Sequence, residues 1–367
     1  MKYVGVDVHK KFCRVCVKDR DGIILDEFSI PNDRGGFTRL LDAVGGGEAK
    51  AVIESTGNFW IPLYTALEEA GVEVVLANPK KTRAIAEARL KNDKVDARTL
   101  ADLLRADLVA PSYVPPKEIR ELRNLIRHRM NLVRDRTRLK NRVHALLDKY
   151  ELRFSGTDLF GKAGTEWLRT VKEELSRVDR LTLEANLRQI ELLNQLVDEA
   201  DLRIALEAAN NEDVRLLMTI PGVDYYTALL ILTEIGDINR FPSPEKLVSW
   251  IGLAPRVRQS GGKLRSGAIT KEGSPRLRWA LVQAAWVAVR CDEHLSEKYR
   301  RIARRRGEGK AIVAVAREIV VATYHMLTRR EPYRFSSRDF VDRKLKRLER
   351  RIRIGGSPAE PAGATPL

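Results

Sequence analysis

Apolar and polar residues alternate over 2–9 (Lys-Tyr-Val-Gly-Val-Asp-Val-His) and again over 12–18, the period-two pattern of strands. A turn at Asp19-Arg20-Asp21-Gly22 separates the second strand from a third over Ile23–Ile30, so the chain opens as an antiparallel meander. The period then switches. Helices are expected near 36–44 and 60–70, strands over 51–54 and 72–77, and a further helix from Pro79, proline being favoured in a first turn. The order βββαβαβα predicts a mixed sheet flanked by helices. Beyond a Pro-Pro break at 115–116, residues 117–150 read as one long helix, with Leu125, Leu132, Leu139 and Leu146 at heptad spacing. A second long helical pattern covers roughly Thr165–Ala209. Its stripe could pair with the first helix inside the chain or with a second chain. Apolar helices recur over 279–289 and 310–327, and the segments 298–306 and 336–354 are strongly basic. The tail from Gly355 has the composition of a disordered segment.

Charge narrows the reading. Among 367 residues, 66 Lys and Arg outnumber 50 Asp and Glu, and a net charge of +16 points to a polyanionic partner, most often nucleic acid. The long helix carries Arg123, Arg127, Arg134 and Arg138 with few answering acids, which suits either phosphate contact or a solvated face. Three cysteines are too few for a disulfide framework. Cys13-x-x-Cys16 has a metal or redox spacing, yet in a strand the two point to opposite faces and no second pair completes a zinc set. No signal peptide is recognisable, and no apolar run looks long enough to span a membrane, the longest being interrupted by Arg317 and Glu318. A reduced, cytoplasmic setting is expected.

Three stretches carry candidate chemistry. Asp93 and Asp96 stand at i,i+3 in Leu90–Arg98, on one helix face, where they repel unless a cation lies between them. Asp7 and Glu54 interrupt apolar strands, and a buried carboxylate needs a basic partner, a metal or a solvent-facing position. Four acids meeting at one place form a hard-oxygen site for magnesium, with manganese as a substitute. The third stretch is Arg256–Arg278, where Gly261-Gly262 follows Ser260 among Arg256, Arg258, Lys263, Arg265, Lys271, Arg276 and Arg278, with Glu272 the only acid. Ile220-Pro221-Gly222-Val223 has the look of a helix-hairpin-helix turn able to hold a phosphate on backbone N–H groups, although Asp224 stands where a second glycine is usual.

Val-Gly-Val-Asp7-Val-His-Lys, Ile-Glu54-Ser-Thr-Gly and Asn-Asp93-Lys-Val-Asp96-Ala resemble the DEDD set of the insertion-sequence one-ten transposases, eleven-eleven subgroup included. Gly-Leu-Ala-Pro, Ser-Gly-Gly-Lys and Thr-Lys-Glu-Gly-x-x-x-Leu-Arg resemble the second domain of the same family. The resemblance implies a RuvC-like (ribonuclease H fold) α/β domain over 1–112 and a helical coiled-coil region over 113–210. An all-α C-terminal domain with a helix-hairpin-helix follows over 211–335, then a basic, partly disordered tail. It implies that Asp7, Glu54, Asp93 and Asp96 hold the metal. A serine, best matched by Ser260 with Ser249, Ser266 and Ser274 nearby, attacks DNA and forms a phosphoserine linkage. It further implies DNA donor and target, an element-encoded bridge RNA, a dimer or tetramer, a site composed across subunits, and a bacterial or archaeal, nucleoid-associated location. A metal-only junction nuclease, a non-catalytic nucleic-acid binder and a DNA invertase are the competing readings.

Overall fold

The computed structural model describes the backbone of residues 1–45, 48–54, 57–79, 81–82, 93–260 and 263–356, and the side chains of all of these except 93–95, 257–260, 263–266 and 355–356. The chain divides into two units, Met1–Val114 and Pro115–Leu367.

The first unit is built on a five-stranded sheet in the order β3-β2-β1-β4-β5. β1 (Lys2–Val8), β2 (Phe12–Lys18) and β3 (Ile24–Pro31) form the antiparallel meander. β4 (Ala49–Glu54) and β5 (Glu73–Ala77) join it in parallel. This mixed sheet is compatible with a ribonuclease H-like domain. One sheet face is closed by α1 (Arg34–Val44) and α2 (Trp60–Glu69): Val4, Val6 and Val8 share a core with Leu40 and Leu63. α1 starts at Asp33, whose carboxylate accepts from the Gly36 N–H, a helix N-cap. Cys13 faces this core and Cys16 does not; both are buried and unbridged, and burial, reinforced by nearby Asp7, pushes the Cys13 thiol up to about 12.

The other sheet face takes α3 (Asp93–Arg105), which lies directly on β1. The approach is close enough to require glycine: a Cβ on Gly5 would stand 2.1 Å from the Ala97 carbonyl oxygen and 2.6 Å from the Ala101 nitrogen. Two ion pairs lock the helix, Lys18 to Asp102 at 2.6 Å and the Arg98 guanidinium to both Glu27 oxygens at 2.7 Å. Gly5→Ala is therefore expected to lower stability by about 1–3 kcal/mol, since backbone on both sides has no flexible end to give way. A denaturant midpoint equal to that of the parent protein would refute the tight seat.

In the second unit α4 (Lys117–Asp148) and α6 (Arg177–Ala209) pair antiparallel within the chain. Arg129 meets Asp201, Arg136 donates to Asn194, and Lys149 meets Asp179. Asp201 and Asn194, polar positions on the stripe, thus fix its register. The second helical pattern is not continuous from Thr165. α5 (Lys162–Val171) ends at Val171, and α6 restarts after Ser176, whose hydroxyl accepts from the Asp179 N–H as an N-cap.

The remaining core packs α7 (Glu212–Leu217), α8 (Tyr225–Ile235), α9 (Pro244–Ile251), α10 (Pro275–Cys291), α11 (Glu293–Arg306), α12 (Glu308–Arg329) and α13 (Arg338–Gly356). Two expectations are corrected, and the basic segment after 336 gains a structure. The C-terminal part is not all-α: β6 (Pro255–Ser260) and β7 (Lys263–Ile269) form a hairpin. A Gly-Gly pair flanked by extended sequence is a hairpin signal that the density of charge hides. The basic segment after 336 is mostly a helix that docks, with Leu348 buried and Lys344 donating to the carbonyls of Met218, Ile220 and Val223 at 2.6–2.7 Å. Finally, α12 is a single helix of 22 residues, long and apolar enough to cross a membrane by length and composition, and half of its apolar window is buried in this unit.

Candidate functional site

Asp7 and Glu54 are Cα partners on the parallel strands β1 and β4. Neighbouring strands lie about 4.8 Å apart and paired residues share a face, so these two carboxylates come from adjacent positions on the same side of the sheet. It is the side that carries α3, because Gly5, two residues earlier, meets Ala97 and Ala101. The direction of α3 follows from its locks. Asp102 reaches Lys18, which pairs with Tyr3, while Arg98 reaches Glu27, whose partner Cys16 pairs with Gly5. Moving back along the helix moves forward along β1. The first turn, Asp93–Asp96, is therefore directed toward the end of β1 that holds Asp7. Asp96 is half-buried; Leu90–Asn92 lie outside the described residues, as does the side chain of Asp93. Among the described residues, no three His, Cys, Asp or Glu side chains form a group that could hold a metal ion. What fits a cation here is the pairing of Asp7 with Glu54, two oxygen donors side by side at strand ends.

The sequence reading passed over His9. Its Nε2 lies 2.9 Å from Oδ2 of Asp7, whose side chain is 13% exposed, and its ring stacks on Phe12 at 4.7 Å. Asn32 anchors it from behind, donating to the His9 carbonyl. The imidazole fixes the Asp7 carboxylate in orientation. The signal was present, since two residues along a strand share a face.

Ser260 ends β6 and pairs with Lys263 at the start of β7, and Arg258 pairs with Arg265. By strand periodicity, positions 256, 258, 260, 263 and 265 belong to one face of the hairpin. Gly261 and Gly262, between the strands, lie outside the described residues, as do the side chains of Arg258, Ser260, Lys263, Arg265 and Ser266. The base of the hairpin is fixed. Thr270 N–H donates to Ala254, Lys271 N–H to Gly252, and the Arg278 guanidinium to the carbonyls of Ile251, Glu272 and Gly273. Arg278 thus directs its Nη1 into the fold, onto three carbonyls. Arg256 makes one long bond to the Thr270 carbonyl, Lys271 is exposed, and Arg276 is half-exposed on the first turn of α10.

On α4 the arginines divide. Arg123 donates through Nε and Nη2 to the Thr233 carbonyl, at 2.8 and 2.6 Å, capping α8. Arg127 makes a two-pronged pair with Glu234, which is 4% exposed. These two hold α4 on α8, a use the sequence did not suggest because it needs the tertiary partner. Arg134 and Arg138 are exposed and, among the described residues, reach only Asn131 and Asp135 on their own helix. Arg127→Ala should cost about 2–4 kcal/mol by stranding Glu234, whereas Arg134→Ala should change stability by under about 0.5 kcal/mol. Equal melting shifts for the two would refute this division.

The turn between α7 and α8 has a packing role. A Cβ on Gly222, at φ +83°, would stand 2.1 Å from the Ala284 carbonyl oxygen. Asp224 is the N-cap of α8 and accepts from the Thr227 N–H at 2.8 Å.

Comparison with known proteins agrees with these two blocks of residues. A family profile for DEDD transposases of the IS110 type matches residues 4–151, and one described as the IS116/IS110/IS902 transposase family matches 214–300. The chain is 28% identical to the transposase for insertion sequence element IS1111A of Coxiella burnetii, over 91% of this chain and 92% of that one. It is 30% identical to the transposase for IS1328 of Yersinia enterocolitica, over 63% and 68%. A probable family 20 transposase of Pseudomonas aeruginosa is 28% identical over 73% and 81%.

Proposed function

Given that the chain belongs to the IS110 family of DEDD transposases, we propose that it cuts and rejoins DNA through an attack by Ser260 on a phosphodiester, assisted by a divalent metal. The observation that carries the metal half is the register of Asp7 beside Glu54, with the first turn of α3 directed toward them. In this reading the first unit is a RuvC-like domain, and Asp7, Glu54, Asp93 and Asp96 hold Mg²⁺ or Mn²⁺. The bound cation supplies charge stabilisation to the phosphate undergoing displacement. His9 holds the Asp7 carboxylate in place.

The serine half is supported by the hairpin. Ser260 stands at its tip, on the face shared with Arg256, Arg258, Lys263 and Arg265, where cations draw in a phosphate. The Oγ–phosphorus bond forms as the bond to one deoxyribose oxygen breaks. The serine proton leaves to a base and the deoxyribose oxygen departs as a hydroxyl. A hydroxyl from another strand reverses the step, restoring the serine and joining new DNA. The phosphodiester bond is conserved in the phosphoserine, so no external energy source is needed.

Arg134, Arg138, Arg256, Lys271 and Arg276 remain as positions for nucleic-acid strands. The antiparallel α4–α6 pair is the coiled-coil region of the family, and the 220–224 turn its helix-hairpin-helix. The family resemblance adds a bridge RNA that pairs with donor and target, and a homo-oligomer acting at the nucleoid.

The test is to trap the intermediate. Purified protein is incubated with DNA carrying the element ends, the element's RNA and Mg²⁺, then denatured and digested. A DNA-linked peptide containing Ser260 is expected. Cleavage without any protein-linked DNA would replace this mechanism with a metal-only nuclease, and linkage to Ser249, Ser266 or Ser274 would move the nucleophile.

A further inference from the structure

A cleft of about 650 Å³ opens in the second unit between α13 and the turn that joins α7 to α8. Its floor is Met218, Gly222, Tyr225 and Val287, and its wall is Phe340 with Arg343, Lys346, Arg347 and Arg350. The helix periodicity that docks α13 also creates this wall. Lys344, Leu348 and Arg351, spaced i, i+4, i+7, face inward: Lys344 on three carbonyls, Leu348 in the core, Arg351 on Asp198. Residues 343, 346, 347 and 350 fall on the adjacent stripe and are exposed. Arg343 donates to the Asp339 carbonyl of its own helix, while Lys346, Arg347 and Arg350 form no ion pair among the described residues. The one acid lining the cleft, Asp224, is occupied as the N-cap of α8.

A concave surface with three unpaired cations and the aromatic rings of Tyr225 and Phe340 has two recognition elements together. The cations suit phosphate oxygens, and the rings suit an unstacked base. The volume admits one or two nucleotides. We propose that this cleft binds an unpaired nucleic-acid strand, its phosphates on Lys346, Arg347 and Arg350 and a base against Phe340 or Tyr225. The proposal rests on the transposase reading only in taking nucleic acid as the partner. It is independent of the serine chemistry.

The experiment is fluorescence anisotropy of the full chain with a twelve-residue oligothymidylate, the matching oligouridylate and a twelve-base-pair duplex. The variant Lys346→Gln/Arg347→Gln/Arg350→Gln is compared with Arg177→Gln/Arg188→Gln/Arg203→Gln, an equal charge change at exposed positions of α6. The cleft variant should bind single strands at least tenfold more weakly. Its dependence of log affinity on log salt should be shallower by about 2, three single-strand phosphates contributing roughly 0.7 each. Phe340→Leu should weaken binding about fivefold or more with an unchanged salt slope, because it removes stacking and no charge. The larger loss, DNA or RNA, identifies the source of the strand. Equal losses in the cleft and α6 variants, an unchanged salt slope, or a loss confined to the duplex would each overturn the proposal.

Discussion

Ser260→Ala is expected to abolish strand joining and covalent capture, with a fall in recombination of at least about 10³-fold, the scale seen when a covalent nucleophile is removed. Replacing Oγ by hydrogen deletes the atom that would bond phosphorus. The same change should leave folding untouched. Ser260 is the last residue of β6, and the hairpin is held at its other end by Thr270, Lys271 and Arg278. The measurement is recombination of a paired donor and target, read beside the melting temperature. Wild-type cleavage by this variant would show that water, not the serine, attacks. Loss of recombination together with a lowered melting temperature would show that the serine is structural.

Asp7→Asn should be nearly as severe in activity and mild in stability. Removing one ligand of a metal that contributes several kcal/mol of transition-state stabilisation lowers the rate by roughly 10³- to 10⁴-fold. The fold has little reason to object. Asparagine keeps an oxygen to accept from His9, and it removes one of two negative charges placed on neighbouring strands by the Asp7–Glu54 register. Like charges at paired strand positions cost up to about 1 kcal/mol, so stability should hold or rise slightly. The pair of readouts separates a metal ligand from a structural carboxylate. A variant that recombines normally would remove Asp7 from the site. A variant that unfolds would show that the Asp7 charge is needed for its contacts and not for catalysis.

The sheet and long helices were legible because their signals are local. Alternation over 2–9 and 12–18, and a leucine every seventh residue from 125 to 146, specify which face must leave water, and α4 runs from Lys117 to Asp148 much as that spacing requires. That Asp7 and Glu54 meet is implied by the family resemblance and not by their spacing; the register itself comes from the pairing of β1 with β4. The β6–β7 hairpin was missed because its residues are chosen for charge, which weakens the apolar alternation by which strands are recognised. The basic character of the segment after 336 is plain in its composition, while its docking depends on one lysine reaching three carbonyls more than a hundred residues away.

The sequence by itself determined the order of strands and helices around the first sheet and the strongly basic character, which lie in residue types and short spacings; the four acids and the serine it offers as candidates through the family resemblance. Only the tertiary structure decided which cations face solvent. Arg123, Arg127 and Arg278 have the same side chain as Arg134 and Arg256, yet the first three donate to groups on other elements, while Arg134 reaches its own helix and Arg256 makes a single bond of 3.3 Å. Charge is a property of the residue, but its availability to a partner depends on which carbonyls and carboxylates the fold brings within hydrogen-bond reach, and that is settled by contacts distant in the chain.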